Sequence, residues 1–387
     1  YPALPDTYTG ISIKDYGDRI LIPGLSDLHV HAPQYAFRGL GMDMELLEWL
    51  ETNTFPEEAK YRDLDYAKKA YGIFAENLKK SATTRACIFA TVHREATLYL
   101  MDRLEEAGLH TMVGKVNMDR NCPDYLSEAS AKSSAEETKL WLADVKSRAY
   151  RNTAPILTPR FIPSCTDELM KLLKEIQTET GLPVQSHLSE NYGEISWVQE
   201  LCPESEFYGD AYDRFGLFGN DVKTVMAHCV HSDAREIARM KANGVFVAHC
   251  PESNMNLASG VAPIRTYLDE GLHVGLGSDV AGGSTENLFL AMAHAIQASK
   301  LRWRLKDDSL KPLTLPETFY MATKGGGAFF GKVGSFEEGY DLDLIVLDDA
   351  RLKHPQQLSI EQRLERMVYL ADEREIHAKY VAGEQLF

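Results

Sequence analysis

No stretch of this 387-residue chain approaches 18 consecutive apolar residues, so a membrane-spanning helix is not expected. Cysteine is sparse. The six thiols, Cys87, Cys122, Cys165, Cys202, Cys229 and Cys250, include no Cys-x-x-Cys pair. In a chain of this size that pattern reads as free thiols in a reducing compartment, the cytoplasm, rather than as a disulfide framework. Positive charge is in deficit, 41 Lys+Arg against 57 Asp+Glu for a net charge of −16, which argues against general nucleic-acid binding. No Gly-x-Gly-x-x-Gly follows an early strand-like run, which removes the usual reason to expect a dinucleotide-binding sheet. Pro-Cys-x-x-Cys, half of the signature of zinc deaminases that act on flipped bases, does not occur either. No run of the signal-peptide type opens the chain, and Tyr1 stands where a methionine would, so a preceding segment is expected.

What is present is a large core. Hydrophobic residues make up 44% and charged residues 25%, the balance of a globular protein. Eight short apolar or β-rich runs, at 19–31, 83–92, 110–119, 154–161, 182–190, 223–230, 244–251 and 273–280, alternate with longer segments. Those segments, such as 61–80, 134–150, 166–180 and 231–243, repeat apolar residues at three- and four-residue spacing, the period of a helix. Strand–helix alternation eight times over predicts an α/β fold of the (β/α)8 TIM-barrel type, with an open doubly wound sheet as the competing architecture. Two further helical segments are expected at 287–304 and 315–330. From 333 to 387 the patterning turns to β, at 342–347 and again at 376–381, with a turn through Ala382-Gly383. The expected organisation is a barrel over 21–332 and a small accessory β domain built from the two chain ends, 1–20 and 333–387.

The residues that carry chemistry sit where barrel strands should end. His29 and His31 are spaced so that both project to one side of a strand and can meet at one ion. His187 falls at the end of the fifth strand, His228 of the sixth and Asp279 of the eighth. Active sites of this fold gather at the C-terminal face, so these positions converge. Imidazoles and a carboxylate around a divalent ion with a position open to water form a hydrolytic centre. Singly, each has a plainer reading: His187 or His228 as a core histidine, Asp279 as a helix cap. The residue chemistry does not say which of His187 and His228 is a ligand. His249, in Ala248-His249-Cys250-Pro251-Glu252-Ser253-Asn254, lies beside the expected mouth and could orient a ligand or loop.

Pro23-Gly24-Leu25-Ser26-Asp27-Leu28-His29-Val30-His31 resembles the opening strand of the amidohydrolase superfamily, as do the Ala248–Asn254 phrase and the closing Gly334-Ser335-Phe336-Glu337-Glu338-Gly339-Tyr340-Asp341-Leu342-Asp343. The match narrows with His31-Ala32-Pro33-Gln34-Tyr35, Leu46-Leu47-Glu48-Trp49-Leu50, Thr54-Phe55-Pro56, Thr158-Pro159-Arg160-Phe161, Gln185-Ser186-His187-Leu188-Ser189-Glu190-Asn191 and Gly277-Ser278-Asp279-Val280-Ala281-Gly282-Gly283. Together these look like the guanine deaminase family and cover nearly the full chain. The resemblance implies one zinc per chain held by His29, His31, His187 and Asp279, with His228 catalytic rather than ligating. Histidine and carboxylate ligands also suit iron. Binuclear members of that superfamily bridge their metals with a lysine on this strand; the run 154–161 contains none, so the resemblance implies a single ion.

The same resemblance implies hydrolysis of guanine to xanthine and ammonia, a small purine substrate and a homodimer. Asp279 would accept a proton from water, Glu190 would shuttle protons to the ring nitrogen beside C2 and to the departing amine, and His228 would stabilise the tetrahedral intermediate. Gln34, Arg160, Phe161, Trp49 and His187 would face the substrate. A guanidinium has no acceptor, so Arg160 favours a ring carbonyl over an amino group. The rivals are a related deaminase or chlorohydrolase acting on cytosine, an s-triazine or an adenosylhomocysteine-like nucleoside, and a barrel that has lost its chemistry.

Overall fold

The computed structural model describes residues 10–387, and the part of the accessory domain expected at 1–9 lies outside them. β1 (Ile20–Pro23) leads into β2 (Leu25–His31), followed by β3 (Thr83–Phe89), β4 (His110–Gly114) and β5 (Val116–Asn117). β6 (Thr153–Pro155), β7 (Thr158–Pro159), β8 (Val184–Leu188) and β9 (Thr224–His228) come next. β10 (Phe246–His249), β11 (His273–Leu276), β12 (Leu344–Leu347), β13 (Ile376–Val381) and β14 (Glu384–Gln385) complete the described strands. Eight of them form one parallel sheet in the order β6–β4–β3–β2–β11–β10–β9–β8. A parallel bridge from Leu157, two residues past β6, to Val184 of β8 closes the ring. The chain is a (β/α)8 barrel.

Helices alternate with the strands because their sequences supply both a cap and an apolar face. In helix Asp167–Thr180, for instance, the Thr166 side chain accepts the Leu169 N–H, and Leu169, Met170, Leu173 and Ile176 are buried on one side. Inside the ring, Leu28, Cys87, Val225, Ala227, Phe246 and Ala248 pack together over Phe329. The β2–β3 register slips between Asp27 and Val30, so that three steps along β2 match two along β3. This bulge lets Leu28 join the apolar interior while His29 and His31 both reach the mouth.

Three expectations about the elements need correction. The run 19–31 is two strands, not one. β1 leaves the barrel and pairs antiparallel with β12, from Ile20↔Leu347 to Pro23↔Leu344. Gly24 makes the crossing possible: a Cβ there would lie 2.3 Å from Thr84 Oγ1 and 2.8 Å from Asp343 Cβ. The run 154–161 is likewise broken, into β6 in the barrel and β7, which pairs with β5 instead. Finally, the region 333–387 is not all β. It contains helix Ile360–Leu370, started by a Ser359/Gln362 capping box and packed against helix Leu288–Leu305.

The accessory sheet, β1–β12–β13–β14, is tied to the base of the barrel by buried polar contacts. The Arg85 guanidinium, at the start of β3, donates to both Asp343 oxygens, at 2.7 and 3.0 Å. The Lys379 ε-amino group, fully buried, donates to the carbonyls of Leu78, Lys79, Ser81 and Thr83. These carbonyls belong to the end of helix Leu64–Lys80 and the approach to β3, groups that a helix terminus leaves without partners of its own.

Candidate active site at the barrel mouth

Strand ends set the site. His29 and His31 leave β2, His187 comes from β8, His228 ends β9, and Asp279 follows β11 by three residues. The loop carrying Asp279 is fastened to β2 by two backbone bonds, Asp279 N to His29 O at 2.8 Å and His31 N to Val280 O at 3.1 Å. The approach needs Gly277, where a Cβ would fall 2.9 Å from that of His29. His228 and Asp279 both adopt left-handed backbone, φ +73° and +46°. Non-glycine residues hold such angles only where their surroundings over-determine them, and they cluster at working sites.

The donor atoms converge. His29 Nε2 lies 3.1 Å from His31 Nε2 and 3.1 Å from Asp279 Oδ1; His31 Nε2 lies 3.2 Å from His187 Nε2 and 3.5 Å from Asp279 Oδ1. Four ligands at zinc–nitrogen and zinc–oxygen distances of about 2.0–2.2 Å sit roughly 3.3 Å apart in a tetrahedron, so this donor set fits one ion of that size. Burial pushes the pKa values of His31 and His187 well below the usual imidazole range, toward the neutral form that binds metals. His187 Nδ1 bonds the Arg160 carbonyl at 2.6 Å, which leaves Nε2 free as the ligating nitrogen. His29, His228 and Asp279 form a second compact group.

Beside the donors lies a pocket with both apolar and polar walls. Gln34, Trp49, Arg160, Phe161, His187, Glu190, His228 and Asp279 all border it, so the cavity brings together every substrate-facing and catalytic candidate. Glu190 is buried, with Oε1 accepting from Ser259 Oγ at 3.0 Å and Oε2 lying 3.4 Å from His228 Nε2. Burial pushes its pKa up to about 7, against the pull of His228. For Asp279, burial is outweighed by His29, His228 and His31, which hold its carboxyl well below the ordinary range. His228 runs the other way: burial opposes its charge, but Glu190 and Asp279 raise its pKa.

Sequence reasoning missed three contributors. Asp27 accepts from His29 N, Ser278 N and Ser278 Oγ at 3.1, 3.0 and 2.5 Å, joining the β2 ligands to the Asp279 loop. Burial pushes its pKa up to about 7. Asn254 Oδ1 lies 2.9 Å from His228 Nδ1 and holds this histidine in place. Glu58, on helix Phe55–Ala59, bonds both Gln34 and Arg160. Asn254 and Asp27 lie within motifs quoted above, and Glu58 follows Thr54-Phe55-Pro56 by two residues, but nothing in their spacing marks them.

The Amidohydrolase family profile matches residues 20–386. This chain belongs to the amidohydrolase family. Among amidohydrolases it is 36% identical to a guanine deaminase of Dictyostelium discoideum, over 97% of this chain and 84% of that protein. It is 33% identical to the guanine deaminase of Escherichia coli, over 99% and 86% respectively. The crystal structure of a guanine deaminase from C. acetobutylicum with bound guanine in the active site superposes with a TM-score of 0.96 at 50% identity, covering all of this chain and 91% of that one.

Proposed function

We propose that this amidohydrolase hydrolyses guanine to xanthine and ammonia at a single zinc ion held by His29, His31, His187 and Asp279. The observation that carries the reading is the shared cavity. One pocket joins three of the four donors, His31, His187 and Asp279, to a carboxyl whose pKa is raised to about 7 and to a donor-only guanidinium.

The metal, when bound, supplies a water of lowered pKa and an electrophilic centre. Everything else falls to side chains. Asp279, at the rim of the pocket, accepts the proton of the attacking water. Glu190, protonated below about pH 7, gives its proton to the ring nitrogen beside C2 and later relays one to the departing amine. His228, oriented by Asn254 and favoured in its charged form, donates to the oxygen that attacks C2 as negative charge builds there. Arg160 reads the O6 carbonyl, Gln34 an adjoining edge, and Trp49 and Phe161 wall the ring. The six free cysteines support a reducing, cytoplasmic setting, and the family resemblance supports a homodimer.

Ultraviolet monitoring of guanine, adenine and cytosine with zinc-loaded protein tests the substrate. A site built around a buried donor rejects the mismatched amino group of adenine, by about 10⁴-fold or more where such discrimination is fully developed. Guanine should be consumed far faster than either alternative, and Arg160→Ala should reduce guanine turnover while leaving zinc in place. Adenine or cytosine turned over as efficiently as guanine would remove the guanine assignment and leave the hydrolase standing.

A further inference from the structure

Glu58 is a buried carboxylate, 1% exposed, that takes no part in the proton transfers above. Its two oxygens are divided between two side chains of the cavity wall. Oε1 accepts from Gln34 Nε2 at 2.9 Å, and Oε2 pairs with Arg160 Nη1. Phe55, on the same short helix, places its ring 5.2 Å from the Arg160 guanidinium carbon.

The consequence for Gln34 is a fixed amide. Its Oε1 accepts the Ala281 N–H at 3.2 Å while Nε2 donates to Glu58. Reversing the amide would set two donors against each other at Ala281 and two acceptors against each other at Glu58. For Arg160 the consequence is electrostatic. A guanidinium buried without a counter-charge is costly and draws anions toward it. Paired with Glu58, the Gln34–Arg160 corner carries no net charge. Guanine is a neutral lactam. Purines with more ring carbonyls, xanthine and above all urate, lose a proton more readily and are partly or wholly anionic near neutral pH.

We propose that Glu58 is the positioning residue of the substrate-reading corner, holding Gln34 and Arg160 in register and cancelling the Arg160 charge so that the site selects neutral purines over anionic ones, the product included. The inference rests on the reading that Gln34 and Arg160 face the purine. It differs from a purely structural brace in what it does to ligand choice.

The variant Glu58→Gln is nearly isosteric, removes the charge and keeps one acceptor where two are needed. In the zinc-loaded enzyme it should raise the KM for guanine about tenfold, with a smaller fall in kcat, zinc content near that of the parent and a lowered melting temperature, because Arg160 loses its buried counter-charge. Competitive inhibition by urate should strengthen relative to inhibition by neutral hypoxanthine, again by about tenfold. Glu58→Asp, which keeps the charge but withdraws it by one methylene, should fall between the two and carries the same test if Glu58→Gln does not fold. In an Arg160→Gln background the removal of Glu58 should cost no more than a few-fold, because changes acting through one shared partner are not additive. An unmoved urate-to-hypoxanthine ratio, or equal losses in both backgrounds, overturns the proposal and leaves Glu58 a brace. Guanine turnover by the parent, run in the same series, keeps the two readings apart. A parent inactive on guanine sinks the functional assignment; an active parent with an unmoved ratio sinks only the role of Glu58.

Discussion

The two ends of the barrel bury polar groups in opposite ways. At the base, Arg85 meets both oxygens of Asp343, and the Lys379 amino group is surrounded by four carbonyls. Both of these cationic groups have acceptors facing them. At the mouth, the nitrogens of His29, His31 and His187 face one another and Asp279 at 3.1–3.5 Å, and the carboxyl of Glu190 stands within 3.4 Å of His228. The ring nitrogens of the three histidines and the Asp279 oxygen, aimed at one another, are an arrangement that a cation completes. The same fold thus holds one set of buried polar groups at rest and another under tension, and the tension marks where chemistry belongs.

The largest effect should come from emptying the mouth. Chelation, or His31→Ala, should abolish guanine turnover and lower metal content to a small fraction of one ion per chain, measured by elemental analysis alongside the ultraviolet assay. Full activity in a metal-free sample would erase the contrast between the two ends. Next in size is Glu190→Gln, which should retain the ion and lose turnover by about 10²–10⁴-fold. It also exposes the tension directly in metal-free protein. The folded-state pKa of Glu190 is raised to about 7 from an ordinary 4.5. As pH rises through that window the unfolded chain releases its proton first, so stability declines and the penalty is complete above about pH 7. The glutamine variant lacks that penalty, so it should melt higher than the parent above pH 7 and equally near pH 4. A variant no more stable at pH 8 than its parent would place the strain elsewhere.

Smallest in activity is the base. Lys379→Met leaves carbonyls of the helix end and of the approach to β3 without their donor and should cost about 3 kcal/mol of stability by denaturant melts. The folded fraction should keep its kcat. A loss of kcat out of proportion to unfolding would mean that the base and mouth are not separable.

Much of the mouth was legible in sequence because its residues announce themselves chemically. His-x-His at a strand end, and His187, His228 and Asp279 after later strands, reach one point once the barrel is closed. Their companions were not legible, since Asp27, Glu58 and Asn254 are ordinary polar residues whose meaning is entirely in what they touch. Asp27 is further hidden by the β2 bulge, which breaks the simple alternation that places His29 and His31. Among the elements, the barrel strands followed from their apolar runs, while the split at Gly24 depends on a steric approach of Thr84 and Asp343 that no local pattern encodes. Helix Ile360–Leu370 is the opposite case. Its apolar residues Ile360, Leu364, Met367 and Val368 carry helical spacing, but β patterning on both sides masks it.

One carbonyl oxygen joins two duties. The peptide oxygen of Arg160 accepts the Nδ1–H of His187, while the Arg160 side chain reaches into the cavity. The backbone that presents the proposed purine reader is therefore the same backbone that sets the tautomer of a proposed ligand. It lies beside the seam of the ring, where a single bridge between Leu157 and Val184 replaces a full ladder. If His187 holds the ion and Arg160 reads the purine, one peptide serves both, and any steadying of it by one ligand would be felt equally by the other.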